Sequence, residues 1–196
     1  TRPQPWPGLD PGARLRLDPA ACLSRRYPGT GCRSCVDACP VGALAEVGGP
    51  SSGPSLRGDC LGCGRCVAAC PSEALAVPGL SRAPVAAAPA RPGAAPAPLA
   101  IDCWRVPWAD SPAGALRVPC LGGLSATWLL EQLAESPQRP LTLLDRGFCT
   151  ACPVGGAIHP ASAALAEVGR TLATLRVSPA GPPRLVQFPL PPERMD

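Results

Sequence analysis

The sequence predicts an α+β protein of two unlike parts, a cysteine-rich half with little apolar core and a small α/β domain with parallel strands. Three observations support this fold class. Twelve cysteines occur in the 196 residues, and eight of them lie at short spacings within residues 1–77. A Pro/Ala-rich stretch occupies residues 78–100. Residues 101–177 then alternate between strand-like and helix-like hydrophobic patterns.

The composition indicates a chain that is organised by its cysteines. Proline contributes 29 residues and glycine 21, whereas aromatic residues make up only 4%. Aromatic and branched aliphatic side chains supply most of the free energy of burial, so a large self-sufficient core is not expected. Small folds with weak cores are commonly stabilised by disulfides or by bound metals. The spacing of the cysteines has to distinguish between these two possibilities.

An internal repeat occupies much of the first 77 residues. The stretch CRSCVDACPVGALA begins at Cys32, and CGRCVAACPSEALA begins 31 residues later at Cys63. Three cysteines, the following proline and the final Ala-Leu-Ala are identical in register. Two copies of one supersecondary unit imply a domain with pseudo-two-fold symmetry. Residues 15–18, before the first copy, are predicted to form a strand.

The second copy completes an iron–sulfur binding sequence. Its cysteines and the one before them follow a C-x2-C-x2-C-x3-C-P spacing: Cys60, Cys63, Cys66, Cys70 and Pro71. This spacing lets three thiolates and several backbone N–H groups surround one [4Fe–4S] cluster, while the fourth cysteine reaches another cluster. We favour this interpretation over structural zinc and over disulfides.

Residues 14–77 resemble the bacterial-type ferredoxin domain that holds two [4Fe–4S] clusters, and the resemblance covers about a third of the chain. It implies a β-α-β-β-α-β fold in which each copy contributes cysteines to both clusters. One cluster would be bound by four thiols: Cys39, Cys60, Cys63 and Cys66. Three corners of the other cluster would be held by Cys32, Cys35 and Cys70.

The first copy departs from the ferredoxin pattern at its leading cysteine. The expected position is Gly29, and the nearest candidate is Cys22, which is separated from Cys32 by nine residues in place of the usual two. A loop insertion between Cys22 and Cys32 would restore the fourth ligand, and we favour this interpretation. The alternative is a [3Fe–4S] cluster with Cys22 buried beside it as an ordinary side chain.

Beyond the repeat, the chain is predicted to form a linker, a small α/β domain and a tail. Residues 78–100 lack periodicity, as is typical of an extended linker. Residues 178–196 form a second Pro-rich stretch, the tail. Between them the pattern predicts strand 115–119, helix 125–135 with Ser125 as its N-cap, strand 141–144 and helix 161–175. This order favours parallel strands.

The remaining four cysteines cluster around the ends of these strands: Cys103, Cys120, Cys149 and Cys152. The carboxyl ends of parallel strands meet at one edge of a sheet, where α/β folds place their sites. Four thiols suffice for one cluster, and Cys152-Pro-Val-Gly echoes the sequence at Cys39. We therefore predict a third Fe–S cluster, with [4Fe–4S] favoured over [2Fe–2S]. Zinc, a redox-active Cys149/Cys152 pair and buried thiols are the alternatives.

Several other residues have a predicted environment. Three tryptophans are expected to pack around the third site and exclude water: Trp104, Trp108 and Trp128. His159, the single histidine, is expected at the surface near a helix start and not as a ligand. Gly122-Gly123 is expected to form a tight turn, or to direct N–H groups at a cluster sulfur. Arg33 and Arg65 lie within the cysteine loops, where they would tune a cluster, contact an acidic partner or remain solvated.

The sequence contains no recognisable catalytic motif. GxGxxG, P-loop and HExxH patterns are missing, and one histidine with few carboxylates leaves little for acid–base chemistry. We therefore predict an electron-transfer subunit without its own catalytic site, bound to a molybdenum, tungsten or nickel–iron enzyme in a larger oxidoreductase complex. The alternatives are a free ferredoxin-type carrier, and an Fe–S sensor or zinc-stabilised interaction module.

Nucleic acid and membrane are not expected as partners. All 18 basic residues are arginines and are scattered along the chain, although the net charge is +4. No apolar run is long enough to span a bilayer. Cubane clusters are assembled in reducing compartments and no secretory signal is recognisable, so a cytoplasmic location is predicted.

Overall fold

The computed structural model describes residues 15–46, 52–80, 96–179 and 181–190. It is a mixed α/β protein with two small antiparallel ribbons in its first half and a parallel sheet in its second. Residues 1–14 of the predicted first domain, 81–95 of the predicted linker and 191–196 of the predicted tail lie outside this description. Among the described helices, none has the length and apolar character needed to cross a bilayer.

The first half consists of short elements. Their bounds are β1 (Arg16–Leu17), α1 (Leu23–Arg26), α2 (Ser34–Asp37), β2 (Leu44–Glu46), β3 (Pro54–Leu56), α3 (Arg65–Ala68) and β4 (Leu75–Ala76). Strand β1 pairs antiparallel with β4, and β2 pairs antiparallel with β3. Each repeat copy supplies one helix and the strand after it. Helices of one turn are not stable alone, so tertiary contacts must stabilise them.

The second half is built on a four-stranded sheet. Its elements are β5 (Leu99–Cys103), β6 (Leu116–Val118), α4 (Ala126–Glu135), β7 (Leu141–Asp145), α5 (Ser162–Leu175) and β8 (Arg184–Gln187). The strand order is β6-β5-β7-β8, and all neighbouring strands are parallel. The predicted parallel strands are therefore confirmed. Central strands β5 and β7 are largely buried because both of their faces are apolar.

Helix α4 shows how the local sequence sets the boundaries of an element. The Ser125 Oγ accepts a hydrogen bond from the Trp128 N–H at 3.1 Å, which confirms the predicted N-cap. Its buried face carries Trp128, Leu129 and Leu133 at helical spacing. These side chains join the core of the sheet, in which twelve buried apolar residues form one cluster.

Two strands extend the sheet beyond its predicted limits. Strand β5 begins at Leu99, inside the predicted linker, because the apolar run that ends at Cys103 already starts there. Strand β8 lies inside the predicted Pro-rich tail. It was missed because it occupies the sheet edge and most of its residues are exposed, which leaves only a weak hydrophobic pattern. The linker and tail boundaries therefore need correction at these two places.

The two halves pack directly on each other. A Cβ added to Gly123, after β6, would lie 2.7 Å from the carbonyl oxygen of Cys63 and 2.8 Å from Leu80 Cδ1. A Cβ on Gly64 would lie 2.0 Å from the same Leu80 atom. Glycine is therefore required at this contact, because a side chain would separate the two backbones.

Candidate metal centres

The twelve thiols gather around three small cavities, four to each cavity. All twelve lie in the described residues, where each is a free thiol and none forms a disulfide. The first site is lined by Cys22, Cys32, Cys35 and Cys70. The second site is lined by Cys39, Cys60, Cys63 and Cys66. The third site is lined by Cys103, Cys120, Cys149 and Cys152.

The first site includes Cys22 in spite of its distance along the chain. Cys22 is only 7% exposed and lies at the N-terminal end of α1. Two residues after Cys22, the Ser24 Oγ donates a 2.8 Å hydrogen bond to the carbonyl oxygen of Cys32. This bond fixes the inserted loop against the first cysteine of the repeat. The insertion therefore returns Cys22 to the cavity.

The first and second sites exchange cysteines between the repeat copies. Cys39 ends the first copy and lines the second site, whereas Cys70 ends the second copy and lines the first. Both thiols accept a hydrogen bond from the backbone N–H four residues later. The N···Sγ distances are 3.2 Å from Ala43 to Cys39 and 3.3 Å from Ala74 to Cys70. The same local turn thus orients the exchanged thiol in each copy.

Burial opposes ionisation of several of these thiols. Burial, together with the neighbouring Cys70, raises the pKa of Cys35 to about 11. Burial and the neighbouring Cys63 raise the pKa of Cys66 to about 12. Four thiolates in one such cavity need a cationic group to compensate their charge, and binding that group would release protons. The donor set therefore fits an iron–sulfur cluster or zinc.

The third site lies at the carboxyl edge of the parallel sheet. Cys103 is the last residue of β5, Cys120 follows β6, and Cys149 and Cys152 follow β7. Burial raises the pKa of Cys103 to about 11 and those of Cys120 and Cys149 to about 12. The Gly122 N–H donates to Cys120 Sγ at 3.4 Å, so the Gly-Gly turn directs an N–H group at a thiol.

A buried ion pair that the sequence reading missed supports the third site. Asp102 and Arg146 have side-chain exposures of 0% and 3%, and the Arg146 Nη2 donates to Asp102 Oδ2 at 2.6 Å. Asp102 Oδ1 also accepts the Cys103 N–H at 2.9 Å. The pair therefore links the end of β5 to the loop after β7, and so orients two of the strand ends that carry cysteines. Its only sequence signal is a charged residue at the carboxyl end of each of two apolar strands.

His159 lies at the third site and not at a free surface. It is half-buried and lines the same cavity as the four thiols. One ligand atom each from His159, Cys149 and Asp145 lie within 4.8 Å of one another. Burial lowers the pKa of the imidazole, although the charge of Asp145 acts in the opposite direction. The sequence offered no periodic pattern that would have placed this histidine here.

The expected tryptophan shield is not present. Trp108 is 81% exposed, Trp128 belongs to the core of the sheet, and Trp104 packs against Gly79. None of the three lines the third cavity, so this expectation was wrong. The apolar walls of that cavity come from smaller side chains and one phenylalanine: Leu121, Leu144, Phe148 and Val154.

The second and third sites are immediate neighbours. Cys63, Cys120 and Val154 form one buried cluster across the boundary between the two halves. Arg65, which lies between Cys63 and Cys66, donates from Nη1 to the carbonyl oxygens of Val154 and Gly155 at 3.1 and 2.9 Å. Its role is therefore to connect the halves. Arg33, by contrast, pairs with Asp37 and Glu46 at the exterior.

The comparison with known families agrees with this geometry in the first half. Residues 30–75 match the 4Fe-4S dicluster domain family. The matched segment includes the first repeat copy and all but the last residue of the second, begins after Cys22 and ends before the third site. It implies bound [4Fe–4S] clusters and iron–sulfur electron transfer in this part of the chain. The chain matches no curated protein and no solved structure.

Proposed function

We propose that the chain is an iron–sulfur electron-transfer subunit of a larger oxidoreductase complex. Two [4Fe–4S] clusters would occupy the first and second sites and a third Fe–S cluster the third site, with [4Fe–4S] favoured over [2Fe–2S]. The observation that carries this proposal is the grouping of the twelve thiols into three sets of four. The order β1-α2-β2-β3-α3-β4, with α1 inserted, also fits the β-α-β-β-α-β fold implied by the ferredoxin resemblance.

The third site has the features that an Fe–S cluster requires. Its four thiols come from three strand ends, and its apolar walls limit access of water. Fe–S clusters supply one-electron transfer at potentials set by their charge, their exposure and the hydrogen bonds to their sulfurs. The residues of this chain would hold the cluster, supply N–H groups such as that of Gly122, and keep water out.

The arrangement of the sites supports a relay. The first and second sites exchange cysteines, and the second and third sites share the buried contact of Cys63 with Cys120. The hydrogen bonds of Arg65 stabilise this contact, and the lack of a side chain at Gly123 allows the two backbones to approach. Electrons would therefore pass along one line from the first site to the third, or in reverse.

An exposed aromatic surface beside the third site favours a bound partner over a free carrier. Trp108 is 81% exposed and Phe188 46% exposed. Arg146 joins Phe188 to the turn Trp108–Asp110, because its guanidinium donates to the carbonyl oxygens of Asp110 and Phe188 at 3.1 and 3.2 Å. Exposed tryptophan and phenylalanine flanked by arginine are typical of protein interfaces. A catalytic subunit docked here would reach the third site directly.

Iron and acid-labile sulfide per chain test the cluster proposal. In anaerobically purified protein we expect about twelve of each for three cubanes, or about ten if the third cluster is [2Fe–2S]. Cys120→Ser with Cys152→Ser should remove only the third cluster and leave about eight irons. A value of about eight in the unsubstituted protein would exclude a third cluster. A colourless protein without absorption near 400 nm would be a zinc module.

Co-purification tests membership of a complex. A subunit should retain a catalytic partner that contains molybdenum, tungsten or nickel, detectable by elemental analysis. Trp108→Ser with Phe188→Ser should release that partner while the iron content stays unchanged. A free carrier would instead migrate as a 19.9 kDa monomer. Because cubane clusters need a reducing compartment, we propose that the complex is cytoplasmic.

A further inference from the structure

The environment of His159 suggests a role at the third site beyond lining it. Its imidazole lies beside Cys149, and Nε2 is buried. Within the described residues, no hydrogen-bond partner reaches this nitrogen. A buried polar nitrogen without a partner costs free energy, and in a native protein it calls for an explanation.

The hydrogen bond at the other ring nitrogen identifies the tautomer. His159 Nδ1 accepts the backbone N–H of Ala161 at 3.2 Å. A nitrogen that accepts must have a free lone pair, so Nδ1 carries no proton and the neutral ring carries its proton on Nε2. His159 Nε2 is therefore a donor whose N–H group is buried in the protein interior.

The same tautomer excludes His159 as a metal ligand. Coordination through Nε2 would place the proton on Nδ1, opposite the Ala161 N–H, and coordination through Nδ1 would displace that N–H. Asp145 is already engaged as an acceptor on both oxygens. Oδ1 accepts from the Gly147 N–H at 2.9 Å and Oδ2 from Gln187 Nε2 at 2.5 Å. Because Asp145 already has one donor on each oxygen, the Cys149 sulfur is the favoured acceptor of this trio.

We propose that, when a cluster is bound, His159 Nε2–H turns to the Cys149 thiolate, donates a hydrogen bond to it and thereby raises the reduction potential of the third cluster. This inference rests on the proposed function, since it assumes a cluster at that site. A donor to a thiolate stabilises negative charge on the sulfur, and the reduced cluster carries one more negative charge than the oxidised one. His159 would supply this bond from a side chain, whereas the N–H donor to Cys120, from Gly122, belongs to the backbone.

Two substitutions distinguish the effect of the Nε2–H donor from the structural role of the His159 imidazole. In His159→Asn, the side-chain oxygen can replace Nδ1 as acceptor for the Ala161 N–H, but nothing replaces Nε2–H. In His159→Gln, the longer side chain brings an amide N–H to the position of Nε2. Redox titration followed by EPR measures the midpoint of each cluster separately.

We expect His159→Asn to lower the midpoint of the third cluster alone. If the ratio of reduced to oxidised cluster falls tenfold at a fixed ambient potential, the midpoint potential is lower by about 59 mV for a one-electron couple. His159→Gln should recover much of this shift, and both variants should keep the full iron content. In the unsubstituted protein, pulsed EPR should detect a weak ¹⁴N coupling to the third cluster, whether or not the variants fold.

The results that would contradict the hydrogen bond, the donor role of His159 and the third cluster differ from one another. An unchanged midpoint of the third cluster in His159→Asn, with full iron content, would contradict the proposed hydrogen bond. Loss of iron in His159→Asn, or a large ¹⁴N coupling in the unsubstituted protein, would show a ligand and overturn the donor role. About eight irons in the unsubstituted protein would instead contradict the third cluster itself, and with it the proposed function.

Discussion

The two halves of the molecule bring four thiols together in different ways. In the first half, closely spaced cysteines in short loops form the sites, and two of the four residues in the buried core cluster are themselves cysteines: Cys35, Leu44, Cys66 and Leu75. In the second half, twelve buried apolar residues form the core of a parallel sheet, and none of them is a cysteine. We therefore expect the first half to depend on bound clusters for its stability, whereas the second half has an apolar scaffold that presents its thiols at one edge.

Removing the clusters should have the largest effect and should divide the molecule at this boundary. After chelation of iron under reducing conditions, we expect residues 15–80 to lose amide protection, because too little apolar surface remains buried there. Strands β5 and β7 should stay protected. Hydrogen exchange followed by mass spectrometry measures both regions in one experiment. Equal loss of protection in both halves would contradict the comparison.

Cys22→Ser tests whether the inserted loop supplies a ligand. We expect the loss of up to four irons, or conversion of the cluster at the first site to a [3Fe–4S] form with its own EPR signal. Iron analysis and EPR measure these outcomes. Ser24→Ala is the matched control, because it removes the bond to Cys32 and keeps the thiol. Unchanged iron and EPR spectra in Cys22→Ser would show that Cys22 is not a ligand.

The scaffold of the third site should be sensitive to its buried ion pair. Asp102→Leu leaves the Arg146 charge buried without its partner and should destabilise the protein by about 3–5 kcal/mol. The matched control is Glu167→Gln, which breaks an exposed pair with Arg170 on α5 and should cost about 0–1 kcal/mol. The denaturant midpoint of the second half, followed by circular dichroism, compares them. Similar midpoints for the two variants would refute the role of the buried pair.

The contact between the halves should respond to a single methyl group. In Gly123→Ala the added Cβ would overlap the Cys63 carbonyl oxygen, so we expect a loss of about 1–3 kcal/mol and faster hydrogen exchange around Arg65. Gly169→Ala in α5 is the control. Its Cβ would meet nothing within 4 Å, and alanine should stabilise the helix by about 0.5–1 kcal/mol. Unchanged exchange around Arg65 in Gly123→Ala would show that the halves are not held together here.

The features that could be predicted from the sequence are those that leave a local pattern in it. The repeat, helix α4 with its Ser125 cap and the parallel strands follow from local spacing or periodicity, whereas the strands at the ends of the repeat copies were implied by the ferredoxin resemblance. The sets of four cysteines proposed from the sequence are the sets that line the three cavities. For the third set this was possible because parallel strands share one carboxyl edge.

What escaped prediction depends on contacts between distant residues. The Asp102–Arg146 pair joins residues 44 apart in the chain, and Arg65 bonds to carbonyl groups 89 and 90 residues away. Neither contact leaves a periodic signal. Trp108 was expected inside because tryptophan is large and apolar, yet it lies in a 3-10 turn whose surroundings are exposed. His159 was expected outside because loops usually are, but its loop folds back over the strand ends.

The two copies of the repeat differ at the positions between their first two cysteines. The first copy has Arg33 and Ser34 there, and Arg33 remains in solvent with Asp37 and Glu46. The second copy has Gly64 and Arg65, which are covered by Leu80 and by the loop of the third site. A duplicated unit that began with two equivalent ends has thus acquired a polarity. Within the described residues, one end is packed against the third site and the Arg33 end is exposed, so the proposed relay would receive a soluble redox partner at the end near the first site.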